Sequence, residues 1–95
     1  MRRPKKSKYK SVVINKKRYY YYKITLIDPT GDSGHATHHD SYGLIPATMI
    51  THAYVFDKNN KYVWTFASYE DNDELFSDRN VFPRGCILKM ERVLV

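Results

Sequence analysis

A chain of 95 residues with one cysteine, Cys86, and no long apolar run leaves room for a single domain and excludes an internal disulfide framework and a helical membrane span. Its formal charge of +6 is uneven: residues 1–18 hold nine Lys or Arg and no acid, giving +9, whereas residues 19–95 hold seven bases and ten acids, giving −3. The composition therefore predicts a basic arm over residues 1–18 on a mildly acidic body spanning residues 19–95. The first ten residues of the arm repel one another and have little to bury, so they are expected to be disordered and to favour polyanions. No apolar segment follows the basic start MRRPKKSKYKS as a signal peptide would require, and the lone thiol suits a reducing compartment, so a soluble intracellular protein is expected.

In chain order, Val12, Val13 and Ile14 predict a short strand closed by a turn at Asn15-Lys16. The run YYYYKITLID, residues 19–28, is almost wholly aromatic or β-branched and ends at Asp28-Pro29, which predicts a strand running into a turn. With period two, Tyr20, Tyr22, Ile24 and Leu26 share one face, and Tyr19, Tyr21, Lys23 and Thr25 share the other. Lys23 and Thr25 mark the second face as the wetter one, which assigns Tyr20 and Tyr22 to the core and Tyr19 and Tyr21 to the surface.

Residues 28–46 mix glycine and proline with polar side chains and predict a loop with one helical turn near residues 37–44. Strand composition resumes over residues 47–57. The sequence KNNK then leads to a second strand over residues 62–69, with Asn59-Asn60 suited to the positive φ angles of a tight hairpin. EDNDELFSDRN, residues 70–80, reads as a solvated excursion. The final run CILKMERVLV reads as a strand in which Cys86, Leu88, Met90 and Leu94 alternate with Lys89 and Glu91. About five strands with at most one helical turn predict an all-β fold, a small five-stranded SH3-like barrel.

Three segments, KITLIDPTGDSGHA, ITHAYVFDKNNKYVWTFAS and NVFPRGCILKMERVL, resemble a group of small, mostly uncharacterised phage and prophage proteins. That group has a first strand ending in an Asp-containing turn, a central hairpin and a final strand opened by an Ile-Pro-Lys-Gly-Cys-Ile-like motif, here Phe-Pro-Arg-Gly-Cys-Ile at 82–87. The resemblance covers roughly residues 22–94. It departs where the group commonly has tryptophan after the glycine of the first loop, since His35 follows Gly34 here. It implies a phage origin, a compact β domain and the host cytoplasm or a virion as location, and no named enzyme activity.

Several constellations compete for a functional role. His35, His38, His39 and Asp40 lie close in sequence, with His52 further on, but adjacent His38 and His39 project in different directions and no cysteine pair completes a zinc set, so no metal is predicted. A nucleophile, base and orienter drawn from Asp32, Ser33, His35 and Asp40 lack a rigid element to fix their geometry, and the TGDSG run lacks the lysine of a phosphate loop. Neither an enzyme nor a cofactor is therefore expected, and the loop containing His35, His38 and His39 remains a candidate ligand contact. Asp71, Asp73, Glu74 and Asp78 depart from calcium-loop spacing and read as a solvated turn.

The richest signal is aromatic and basic together. Nine Tyr, four Phe and one Trp exceed what a core of this size hides. Small β domains bind single strands by pairing aromatic platforms with cationic tracks. The expected nucleic-acid contacts, to DNA or RNA, are Arg2, Arg3, Lys5, Lys6, Lys8, Lys10, Lys16, Lys17, Arg18, Tyr19, Tyr21 and Lys23. Two alternatives share the same features: a virion or host-takeover module docking on a host or virion protein, and a sponge for a small nucleotide signal.

Overall fold

The computed structural model describes residues 8–29, 33–71 and 75–95. It is all-β: β1 (Ser11–Ile14), β2 (Lys17–Asp28), β3 (Ala47–Lys58), β4 (Tyr62–Phe66), β5 (Ser68–Tyr69), β6 (Phe76–Ser77), β7 (Asn80–Pro83) and β8 (Ile87–Arg92), with one helical turn, α1 (His38–Ser41), and a 3-10 turn at Arg84–Cys86. The spine is the antiparallel pair β2–β3, in register from Tyr21↔Tyr54 to Asp28↔Ala47. Each strand has 12 residues, about twice the usual length, and spans about 40 Å.

The expected closed barrel does not form. The six-stranded sheet runs β1-β2-β3-β4-β7 with β8 also on β2, and β5 and β6 make a separate two-stranded ribbon. The physical reason is that two short strands divide one edge of the long β2. β1 pairs its first half, Ser11↔Tyr20 to Ile14↔Lys17, and β8 pairs its second half, Tyr22↔Arg92 to Leu26↔Ile87. They meet at Tyr21, whose N–H donates to the Lys10 carbonyl (2.9 Å) and whose carbonyl accepts from the Val93 N–H (3.0 Å), while the Lys10 N–H donates to the Val93 carbonyl (2.7 Å). The opposite end of the sheet is β7, so the sheet stays open.

This junction also divides the expected basic arm. Residues 8–18 are built into the sheet through the Tyr9↔Leu94 bridge, β1 and the start of β2, while residues 1–7 lie outside the described residues.

Turn chemistry explains the two hairpins. The β1–β2 turn places Asn15 at φ 49° and Lys16 at φ 66°, the paired positive angles of a two-residue hairpin turn whose twist matches its strands. That conformation was expected at Asn59-Asn60, where neither residue adopts it. There the Asn59 side chain closes the loop, its Oδ1 accepting from the N–H groups of Lys61 and Tyr62 (2.8 Å each). Arg84 braces the same tip, donating from Nε to the Asn59 carbonyl (2.8 Å) and from its backbone N–H to that of Lys61 (2.8 Å).

The buried residues lie on both faces of β2. On the odd face, Tyr19 and Ile14 pack with Phe66, supported by Val12, Tyr54 and Phe76. On the even face, Ile24 and Leu26 are buried, and the ladders place buried Ala53, Val63 and Thr65 on the same side. In the last strand, the predicted alternation breaks at Leu88. The register slips between Thr25 and Leu26, so Leu88 is the extra residue of a bulge and stands exposed, while Ile87 and Met90 are half-buried.

Candidate nucleic-acid interface

Assignment of the four consecutive tyrosines changes in the folded chain. Tyr19, expected at the surface, is 7% exposed; its ring stacks on Phe56 (6.0 Å between centroids) and meets Phe66 and Phe76 edge-on at 5.4 and 5.6 Å. Tyr21, also expected outside, is half-buried against Tyr54 (4.8 Å) and His52 (6.3 Å), with the Lys10 ammonium over its ring at 4.2 Å. The strand bends at β3, where the register with β4 slips between Val55 and Asp57. That slip and the β5–β6 ribbon bring Phe56 and Phe76 onto the odd face of β2 and roof it over. Tyr19, predicted to stack on bases, is therefore a packing ring, while Tyr21 is half-buried on the same odd face.

Tyr20 and Tyr22, expected in the core, instead build the open aromatic surface on the even face. Both are half-buried, and Arg92, exposed and paired with Tyr22 across the β2–β8 ladder, lies over them. Its guanidinium carbon is 3.9 Å from the Tyr20 ring centroid, 5.6 Å from that of Tyr9 and 6.0 Å from that of Tyr22. Nε donates to the Tyr22 hydroxyl at 3.1 Å, which orients the fork and leaves its Nη groups to face an anion. That hydrogen bond raises the pKa of Arg92 above its ordinary value; burial opposes the rise, and Tyr22, Tyr20 and Tyr9 add to it.

Among the described residues the ion pair is Lys89 with Glu91 (3.3 Å), and strand alternation puts Glu91 on the face opposite Arg92. Arg92 is thus held by tyrosine faces with no carboxylate ion pair among the described residues. Around it, the Lys58 ammonium is 5.9 Å from the Tyr22 ring and that of Lys8 is 5.5 Å from the Tyr9 ring, while Arg18 Nη1 donates to Ser11 Oγ at 2.6 Å beside Tyr20. The result is three tyrosine rings with Arg92, Arg18 and Lys58 on one sheet face and the Lys8 ammonium near the Tyr9 ring, a combination able to stack bases and neutralise phosphates.

The remaining expected contacts scatter. Lys17 is exposed with its ammonium 5.3 Å from the Tyr19 ring, and Lys16 occupies the exposed β1–β2 turn. Lys23 is half-buried on the odd face, directly opposite His52 on one side and Glu91 on the other. Arg2, Arg3, Lys5 and Lys6 lie outside the described residues. Sequence reasoning read the period of β2 correctly but took Lys23 and Thr25 as marking the whole odd face as the wetter one. It missed Tyr9 and Arg92 because the Tyr9↔Leu94 bridge and the β2–β8 ladder join opposite ends of the chain.

The histidine loop does not converge. His35, His38 and His39 are all exposed, and the ring of His38 meets Tyr42 at 5.4 Å. An open groove of about 440 Å³ nearby is lined by Gly34, Ala36, Asp40, Ser41, Gly43 and Leu44, without the histidines. Among the described residues no three metal-ligating side chains come together. A larger cleft of about 770 Å³ opens beside β4 and β7, walled by Phe56, Trp64, Phe66, Leu75 and Phe76, with Asp78 and Arg79 at its polar side. Asp78 accepts a hydrogen bond from the Ser68 hydroxyl at 2.5 Å, so a carboxylate is fixed at this cleft, which disfavours a phosphate chain there. No protein-family model, curated protein or solved structure matches the chain.

Proposed function

We propose that this chain is a small, non-catalytic protein that binds single-stranded nucleic acid with little sequence preference through the even face of β2. The observation carrying the reading is Arg92, stacked 3.9 Å from the centroid of Tyr20 and hydrogen-bonded to Tyr22, without a carboxylate ion pair among the described residues. In this arrangement Tyr20, Tyr22 and Tyr9 offer rings to bases, while Arg92, Arg18, Lys58 and Lys8 meet phosphates. Stacking tolerates any base because every base has a π face, so the chemistry favours strand binding over base-edge readout. Residues 1–7, which carry Arg2, Arg3, Lys5 and Lys6, add charge to the same task. A phage origin and action in the host cytoplasm complete the proposal and rest on the sequence resemblance.

The test is a gel-shift series with a labelled single-stranded oligonucleotide, using protein purified with nuclease treatment. Wild type, a chain lacking residues 1–7, and the Tyr20→Ala/Arg92→Ala double variant are compared. Loss of binding in the double variant, with partial loss in the truncated chain, is expected. Equal binding by the double variant and wild type would overturn the assignment of the face. The truncation stops at residue 7 because residues 8–18 are part of the sheet.

A further inference from the structure

The end of the β2–β3 spine carries an apolar surface that no other described residue covers. Every residue from Ser33 to Ile50 is exposed, including the whole of α1 and the first four residues of β3. Within that stretch Tyr42 is 74% exposed, Ile45 70%, Ile50 55%, and Leu44 and Met49 nearly half. Yet the region is ordered structure: Thr37 caps α1 by accepting from the Asp40 N–H (3.1 Å), and β3 is fully laddered to β2 on its inner side. Among the described residues β4 pairs β3 only from Tyr54 onward, so the outer edge of β3 from Ala47 to His52 is an open row of backbone donors and acceptors.

The other open edges of the sheet are guarded. β1 has four residues flanked by Lys10 and Lys16, β7 has four and ends in Pro83, and β8 carries Lys89, Glu91 and Arg92 with a bulge at Leu88. The β3 edge is flanked by Pro46 but carries none of these devices within residues 47–52. From Ser41 to Phe56 the chain contains no Lys, Arg, Asp or Glu, and neither proline nor bulge interrupts residues 47–52.

We propose that this edge is a homodimer interface, in which two copies of β3 pair antiparallel about a two-fold axis near Met49 and Ile50 and continue one sheet across both chains. A two-fold contact needs a self-complementary surface, and an uncharged, apolar strand edge meets its own copy without like-charge repulsion. Nucleic acid does not fit, because no cation lies between Ser41 and Phe56. Residues 1–7, MRRPKKS, bring four cations and only Met1 and Pro4 as apolar side chains, so they do not fit either. The register puts Met49 on the even face and Ile50 on the odd face, so the paired edge extends apolar surface on both sides of the sheet; the five exposed apolar residues leave roughly 600 Å² open per copy, an upper bound that approaches the roughly 800 Å² a stable interface takes from each partner. The inference is independent of the nucleic-acid reading, since the two surfaces share no residue.

The experiment is sedimentation of the nuclease-treated full chain over a concentration series at roughly 1 M salt, where the screening length of about 3 Å prevents a bound polyanion from tethering two copies. A dimer of the 11.3 kDa chain is expected to persist. Met49→Lys and the Ile45→Lys/Ile50→Lys double variant are expected to weaken it about a hundredfold, because the two-fold axis brings each lysine close to its own copy and like charges repel. In wild type, hydrogen exchange at residues 47–52 is expected to slow as protein concentration rises, a readout that needs no variant. A wild-type chain that remains monomeric, variants that dimerise as strongly as wild type, or exchange at residues 47–52 independent of concentration would each overturn the proposal.

Discussion

Replacing Tyr19 or its neighbour Tyr20 with alanine separates packing from binding. Tyr19 is 7% exposed and touches Phe56, Phe66 and Phe76, so truncation opens a cavity in the odd-face core. An aromatic ring of this kind buries roughly 200 Å², or about 5 kcal/mol at 25 cal/mol per Å², an upper bound because the unfolded chain already hides part of that area. Aromatic-to-alanine changes in cores cost about 3–5 kcal/mol, so Tyr19→Ala is expected to lose about 3–4 kcal/mol, and the melting temperature falls by about 12–30 °C. Tyr20 is half-buried and gives up partial area and its contact with Arg92, a loss of about 1–2 kcal/mol. Urea denaturation followed by circular dichroism reads both, with unchanged m-values as the check on two-state behaviour. Oligonucleotide affinity moves the other way: Tyr20→Ala weakens it by about 1–3 kcal/mol for one stacked base, while folded Tyr19→Ala, at low temperature, retains it. A Tyr19→Ala chain as stable as wild type, or a Tyr20→Ala chain less stable than Tyr19→Ala, would refute the assignment of faces.

Three further predictions concern stability. Lys16 sits at φ 66° in the β1–β2 turn, where a side chain costs energy that glycine avoids, so Lys16→Gly should raise stability by about 0.5–1 kcal/mol in the same urea assay. The Thr65 hydroxyl is buried with no hydrogen-bond partner among the described residues, so Thr65→Val should be neutral or stabilise by about 1 kcal/mol, read as a shift in midpoint. Burial, followed by neighbouring Tyr69 and Tyr21, raises the pKa of Tyr54 above its ordinary 10.0. The folded state therefore holds this proton more tightly than the unfolded state, so its contribution is complete below pH 10.0 and declines as pH rises through the raised value. Thermal melts between neutral and strongly alkaline pH should show that decline, and Tyr54→Phe should make it shallower.

Much of the fold follows from local sequence. β-branched and aromatic runs mark β2, β3 and β4, Thr37 and its neighbours mark the helical turn, and Asn15 and Asn59 mark the two hairpins, although the left-handed turn belongs to the first. What sequence does not reveal is how far a strand extends and who pairs with it. A period-two pattern tells which residues share a face, and the twelve-residue β2 is covered on its odd face near Tyr19 and on its even face near Ile24, so one label for each face fails along its length. The same limit hides the site. Arg92 and Tyr22 are 70 residues apart and are joined only by the long-range ladder, and Leu88 leaves the expected alternation because of a bulge that no local signal announces.

The most direct test of the account is a fluorescence-anisotropy titration of a labelled single-stranded oligonucleotide against wild type and Arg92→Gln over a series of salt concentrations. Counterion release predicts that log affinity falls linearly with log salt, with a slope of about −0.7 for each phosphate neutralised, so Arg92→Gln should bind more weakly and lose about 0.7 of slope. Folded wild-type protein that fails to bind at low salt, or a variant with the affinity and slope of wild type, would contradict the claim that the Tyr20–Arg92–Tyr22 face binds nucleic acid.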